Sequence, residues 1–318
     1  MSIAPPPVVS VIIATYNWSS VLRYAIQSVL WQTLQDFELL VIGDACTDDS
    51  AEIVASFADP RVRWHNLPQN SGNQSAPNNA GLQLARGRYV AYLGHDDLWH
   101  PSHLATLVAA LNQNGADFGV TLTEVVGPPG SGIRGLWGVS ATGRYASEGN
   151  APPSSLMHRR SMADELGGWL DYRQLHRPHD RDFMNRAFEQ GKSSVSVNVL
   201  TVFKFPSAWR PNSYREKRSD EQAEYARRIP SEPDFVTREL VAVASAYALG
   251  RGADKVKMQM PERPANAPPG WTVEQWRRIR GLAPNELAPV PPLHRSPTRL
   301  LTDPLRAILR HVLQWLGN

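Results

Sequence analysis

The first 130 residues alternate between two hydrophobic periods, and that alternation restricts the fold more than any other feature. VVSVIIA (Val8 to Ala14) is a short continuous apolar run, as a buried parallel strand requires. The next segment carries Val21, Leu22, Ala25, Ile26, Val29 and Leu30 at helical spacing, with Ser19 or Ser20 available as N-cap. FELLVI (Phe37 to Ile42), VRWHN (Val62 to Asn66), RYVAYL (Arg88 to Leu93) and a run from about Phe118 to Val125 read as further strands. Helices are expected around Ser50 to Phe57, over NNAGLQLAR, and from about Ser102 to Asn112. Strand and helix in turn predict an α/β fold: a mainly parallel twisted sheet flanked by helices. Right-handed crossovers put the loops that follow the strands on one edge, where open α/β sheets bind ligands.

The later sequence changes character. Gly127 to Gly138 is rich in Gly and Pro and reads as a loop or hairpin. SSLMHRRSMADELGGWLD predicts a strand, a short helix and a turn at Gly167-Gly168. HDRDFMNRAFEQG (His179 to Gly191) starts a helix with carboxylates at its N-terminal end, where the dipole favours them. SSVSVNVLTVFKF alternates like a strand. From about Ser213 the pattern is helical and polar, and Pro261 to Pro297 is expected to be extended and to wrap the surface. The chain closes on an amphipathic helix from Thr298, with Leu300, Leu301, Leu305, Ile308, Leu309, Val312, Leu313 and Leu316 largely on one side and Arg299, Arg306, Arg310 and His311 on much of the rest.

Composition narrows the function classes. The single cysteine, Cys46, excludes an internal disulfide and a Cys-rich zinc site. No signal peptide is visible, and no run approaches the roughly 20 apolar residues of a membrane span. The net charge is only +3, and no nucleic-acid partner is expected. The expected location is the cytoplasm. The basic final helix, with Trp315 near its end, suits packing on protein, including a homodimer partner. It equally suits peripheral contact with the inner face of the cell membrane.

Four polar clusters fall where chemistry would be placed: ATYN (Ala14 to Asn17), GDACTDDS (Gly43 to Ser50), GHDD (Gly94 to Asp97) and HDRD (His179 to Asp182). The first three follow strands and share one edge of a parallel sheet. Adjacent carboxylates such as Asp96 and Asp97 need a metal, a basic partner or solvent beside them. Taken singly, each cluster also has a structural reading. Asp96-Asp97 could cap a helix, Asp180 and Asp182 could be first-turn charges, and Asp44, Asp48 and Asp49 could form turns.

In order and spacing the clusters resemble those of family 2 glycosyltransferases with the GT-A fold, over roughly Val8 to Phe205. The resemblance implies a catalytic domain over residues 1–212, with a nucleotide-binding half to about 126 and an acceptor-binding half over 127–212. Residues 213–318 follow as a helical and Pro-rich extension. It implies that Ala14 and Tyr16 line the nucleotide base and that Asp44 hydrogen-bonds it. Asp96 and Asp97 would hold the sugar and bridge Mg²⁺ or Mn²⁺ to the diphosphate, with Asp97 the main metal ligand. Asp180 would be the general base, and Trp169 would floor the acceptor site or sit in the core. The implied activity is metal-dependent, inverting transfer from a nucleotide-diphosphate sugar to a saccharide or lipid-linked saccharide, in surface polysaccharide synthesis. The chain departs from the family pattern at Gly43 and Gly94, where Asp is common, at Asn78, where a basic residue is common, and at His179, where Glu is usual. The alternative is a nucleotide-sugar-binding or scaffold protein with impaired turnover.

Overall fold

The computed structural model describes residues 5–145, 151–255 and 261–285. The N-terminal part follows the expected alternation: β1 (Val9–Thr15), α1 (Ser19–Leu30), β2 (Phe37–Gly43), α2 (Ser50–Ser56), β3 (Val62–Asn66), α3 (Ser75–Leu84) and β4 (Tyr89–Gly94). Then come β5 (Leu98–Trp99), α4 (His103–Asn114), β6 (Phe118–Val126), β7 (Arg134–Trp137), β8 (Leu156–Arg159), α5 (Arg160–Leu166), α6 (His179–Glu189) and β9 (Ser194–Lys204). Helices α7 (Ser213–Glu216), α8 (Asp220–Ser231), α9 (Phe235–Ala248) and α10 (Trp271–Ile279) complete the described chain.

The strands form one curled sheet in the order β3-β2-β1-β4-β8-β6-β9-β5, with β7 paired to β6. From β3 to β4 all pairing is parallel. Beyond β4 the sheet becomes mixed. β8 runs antiparallel between β4 and β6, whereas β9 lies parallel to β6. β8 follows β7 in sequence, and Arg160 begins α5 directly after it.

Period-two alternation divides the core. Val9, Val11 and Ile13 of β1 pack with Leu22, Ile26 and Val29 of α1, while Ile12 joins Leu40, Ile42, Val90 and Tyr92 on the opposite face. A third cluster joins Leu98, Leu122, Phe203 and Phe205 to Tyr225, Ile229 and Phe235, so α8 and α9 pack onto the sheet itself.

Two expectations for the C-terminal part meet the structure differently. The segment expected to be extended contains α10, because its prolines gather before Gly270 and after Ala283 and leave a proline-free stretch between. Gly270, at φ +80, turns the chain into that helix. The terminal amphipathic helix lies outside the described residues. Among the described residues no helix is long and apolar enough to cross a membrane.

Candidate active site

Parallel register brings three strand ends level. Thr15 of β1 pairs with Gly43 of β2, and Ala14 pairs with Gly94 of β4. The residues that follow border a cavity of about 520 Å³, within the range of small-molecule sites. Ala14, Tyr16, Asp44, Asp96, Asp97 and Asp180 all line it.

The loops at this edge are tied to one another. Asn17 adopts a left-handed conformation at φ +43, and its side-chain oxygen accepts the N–H groups of Thr47 and Asp48 at 2.7 and 3.2 Å. Asp48 in turn accepts from the Ser19 N–H at the start of α1 and from Ser50 at the start of α2. It therefore braces two helix starts. Gly43 is glycine for want of room: a Cβ there would meet Asn66 Oδ1 and come within 2.6 Å of the Trp64 ring. Cys46 is a half-buried loop thiol whose pKa burial pushes up.

Asp44 is buried, and its two carboxylate oxygens accept the N–H groups of Ser71 and Gly72 at 2.8 and 3.1 Å. Burial raises its carboxyl to about 6, while these bonds and the Arg277 charge pull the other way. Arg277, on α10, donates to the carbonyls of Gly72 and Ala283, so the far end of the chain closes over the Asp44 loop.

The adjacent aspartates face different surroundings. Asp97 is fully buried. Its Oδ2 accepts from Ser154 Oγ at 2.5 Å and Lys204 Nζ at 2.9 Å, and its Oδ1 from the Phe205 N–H at 3.2 Å. Burial raises the Asp97 carboxyl against the pull of Lys204. On Lys204 burial opposes the ammonium, but Asp97 and Asp96 outweigh it and hold the lysine above its ordinary range. The short contacts with Lys204 and Ser154 are those of an ionised pair. Asp96 makes no ion pair among the described residues. Burial raises its carboxyl, and the positive field of His95, Lys204 and Arg280 more than reverses that.

Mg²⁺ or Mn²⁺ bridged by both carboxylates does not fit this arrangement. Lys204 Nζ already holds Asp97 Oδ2 at 2.9 Å, and an ammonium and a divalent cation repel each other on one carboxylate oxygen. Gly94 supplies no third carboxylate, and its missing Cβ would lie 2.9 Å from Asp97 Oδ2. Among the described residues no three His, Cys, Asp or Glu side chains gather as a metal site. His95 does not make up the deficit. Its ring nitrogens are engaged by Thr15 Oγ1 at 2.8 Å and the Tyr214 hydroxyl at 3.1 Å. His100 bonds Ser102 and lies apart from the cavity lining.

Helix α6 delivers the fourth cluster. Asp180 is half-buried on the cavity lining, and its side chain accepts the adjacent Arg181 N–H at 2.8 Å. His179 is buried beside it against Gln74, and burial lowers its pKa. Asp182 is held by Arg186 at 2.7 Å and does not line the cavity. Trp169 does not floor the cavity. It is 1% exposed and stacks on Phe183 at 4.5 Å, with Tyr92 edge-on at 4.9 Å. Its backbone is clamped at both N–H and carbonyl by Asn79, which fixes the ring in the core.

Sequence reasoning missed Lys204, Arg277 and Arg280, all of which line the cavity. The available signals were a lysine within the apolar VFKF and the basic run WRRIR between proline clusters.

Residues 10–152 match the family model described as glycosyl transferase family 2. The succinoglycan biosynthesis protein ExoO of Rhizobium meliloti (strain 1021) is 35% identical over 128 residues, 40% of this chain and 36% of the relative. The poly(ribitol-phosphate) beta-N-acetylglucosaminyltransferase TarP of Staphylococcus aureus (strain N315) is 35% identical over 139 residues, 43% of this chain and 38% of the relative. The matches thus span little more than a third of these relatives' own lengths. Among solved structures, S. aureus TarS 1–349 in complex with UDP-GlcNAc superposes with a TM-score of 0.51 at 20% identity, covering 62% of this chain and 58% of that one. Another structure of TarS 1–349 gives 0.52 at 17% identity, with 79% and 76% covered. At such identity the likeness is one of fold. Residues 10–152 thus carry the sequence pattern of glycosyl transferase family 2, on a fold shared with the glycosyltransferase structures of TarS.

Proposed function

We infer that the protein is an inverting glycosyltransferase that moves a sugar from a nucleotide-diphosphate sugar to a hydroxyl of a saccharide or lipid-linked saccharide, in surface polysaccharide synthesis. The observation that carries this reading is the position of Asp180. It is a carboxylate with no ion pair among the described residues, on the lining of the cavity that Asp44 and Asp96 also border. Asp180 removes the proton of the acceptor hydroxyl as its oxygen attacks the anomeric carbon. The bond from that carbon to the diphosphate breaks, and the nucleoside diphosphate leaves with the bonding electron pair. Direct displacement with one carboxylate base gives inversion, by analogy with inverting glycoside hydrolysis. Ala14, Tyr16 and the Asp44 loop supply the nucleotide end. Trp137, Tyr145 and Trp209 bring amphipathic rings to the lining, suited to a sugar acceptor. Polysaccharide synthesis is supported by the name of the succinoglycan biosynthesis protein ExoO, sugar transfer to a polymer by that of TarP, and a nucleotide-sugar donor by the UDP-GlcNAc bound to TarS. No step is assigned to Mg²⁺ or Mn²⁺, because Asp96 and Asp97 do not jointly offer the bridge.

The test is incubation of the full chain with UDP-, GDP- and dTDP-sugars and saccharide or lipid-linked acceptors. Release of nucleoside diphosphate and the anomeric configuration of the product are followed by NMR. Transfer with inverted configuration is expected. Retained configuration would remove the mechanism, and donor binding without transfer across the panel would favour a binding protein.

A further inference from the structure

Lys204 and Arg280 border the cavity from separate parts of the chain, the end of β9 and the end of α10. Asp97 holds the Lys204 ammonium at 2.9 Å, and 22% of the lysine side chain stays exposed. An ammonium has three donors, so the contact with Asp97 leaves two. Arg280 makes no ion pair or side-chain hydrogen bond among the described residues, and its Nε is buried without a partner. Leaving such a donor unpaired costs free energy unless a ligand supplies the acceptor. Arg280 also lies close enough to Lys204 and Asp96 to influence the ionisation of both. Two cations with donors to spare therefore meet over one space, at the sheet edge where the strands deliver the nucleotide-binding loops.

We propose that Lys204 and Arg280 bind the donor's diphosphate directly and supply the charge neutralisation expected of a bridged divalent cation, with Asp97 as the positioning residue that aims Lys204. The proposal rests on the nucleotide-sugar reading above. A guanidinium offers paired N–H groups that match phosphate oxygens, and an ammonium adds a compact point charge. Negative charge grows on the diphosphate as it leaves, and fixed cations stabilise it there without reorganising.

Calorimetric titration of the full chain with UDP, GDP, dTDP and CDP, in EDTA and again with Mn²⁺, tests this. At least one nucleoside diphosphate should bind in EDTA, with affinity changing less than about threefold when Mn²⁺ is added. Arg280→Met breaks no hydrogen bond or ion pair among the described residues and should weaken that binding at least tenfold. The matching nucleoside monophosphate, lacking the second phosphate, should lose less. Lys204→Met should behave alike. It strands the Asp97 carboxylate, so circular dichroism must first establish that it folds, and Arg280→Met carries the decision. Binding seen only with Mn²⁺ would overturn the proposal. So would an Arg280→Met variant that binds like wild type, or equal losses for the mono- and diphosphate. If none of the diphosphates binds in either condition, the donor reading itself fails and the anchor falls with it.

Discussion

Lys204 Nζ lies 2.9 Å from Asp97 Oδ2, one of the two adjacent carboxylates that the family resemblance assigned to a metal. The lysine comes from the end of β9 and the aspartate from the turn after β4, so the contact joins the two halves of the sheet. Asp97 thereby becomes a structural partner. Asp97→Asn should lower unfolding stability by about 2–4 kcal/mol, because it leaves a mostly buried ammonium without its counter-charge. Urea unfolding with and without the substitution measures this. A loss under about 0.5 kcal/mol, the level of an ordinary surface change, would show that the pair does not hold the site together.

Asp180 is the base in the proposed reaction. Asp180→Asn should lower kcat by roughly a hundredfold or more while donor affinity stays near wild type. The amide keeps the shape and the bond from Arg181, so a combined loss of turnover and donor affinity would assign Asp180 to binding. Asp182 is no substitute, since Arg186 holds it at 2.7 Å.

Asp44 gives a pH signature. Its folded pKa of about 6 lies above the ordinary 3.8. The folded protein therefore holds that proton more tightly than the unfolded chain does. The resulting stability is fully present below about pH 4 and is lost as pH rises through about 6. Asp44→Asn cannot titrate. Between pH 4 and 7 the wild type should lose on the order of 2–3 kcal/mol relative to the variant. Parallel stability curves for the two proteins would mean that the carboxyl is not perturbed.

Gly43 should resist even the smallest side chain. Gly43→Ala presses a methyl group against Asn66 and Trp64, and Asn66 is pinned by the Cys46 N–H and carbonyl, both at 2.9 Å. A loss of about 1–3 kcal/mol is expected from overpacking. Thermal unfolding reads it directly, and an unchanged Tm would mean that the loop moves aside freely.

The strand ends were legible because a short buried strand announces itself in sequence and parallel register then levels its neighbours. Ala14, Tyr16, Asp44 and Asp96 reached one cavity for that reason, and Asp180 reached it through the N-terminal turn of α6. Lys204 was hidden by the same period-two rule. Phe203 and Phe205 are core residues, so the lysine between them reads as facing solvent. The face it occupies meets Asp97, a neighbour that no local pattern announces. Trp169 was ambiguous because Gly-Gly-Trp fits a loop tip as well as a helix end. The Asn79 clamp that settles it comes from another helix. Helix α10 was concealed by proline density, although the prolines only flank it.

The bond from Arg277 to the Gly72 carbonyl also sets an order of events during translation. Every strand of the sheet has been synthesised once Lys204 leaves the ribosome, and the third core cluster can close when α9 follows. The nucleotide-side loop waits longer for its clasp, which is encoded outside the stretch matched by the family model. A nascent chain can thus be folded yet still lack a finished cavity wall. Emergence of α10, and not collapse of the sheet, then completes the clasp around the Asp44 loop.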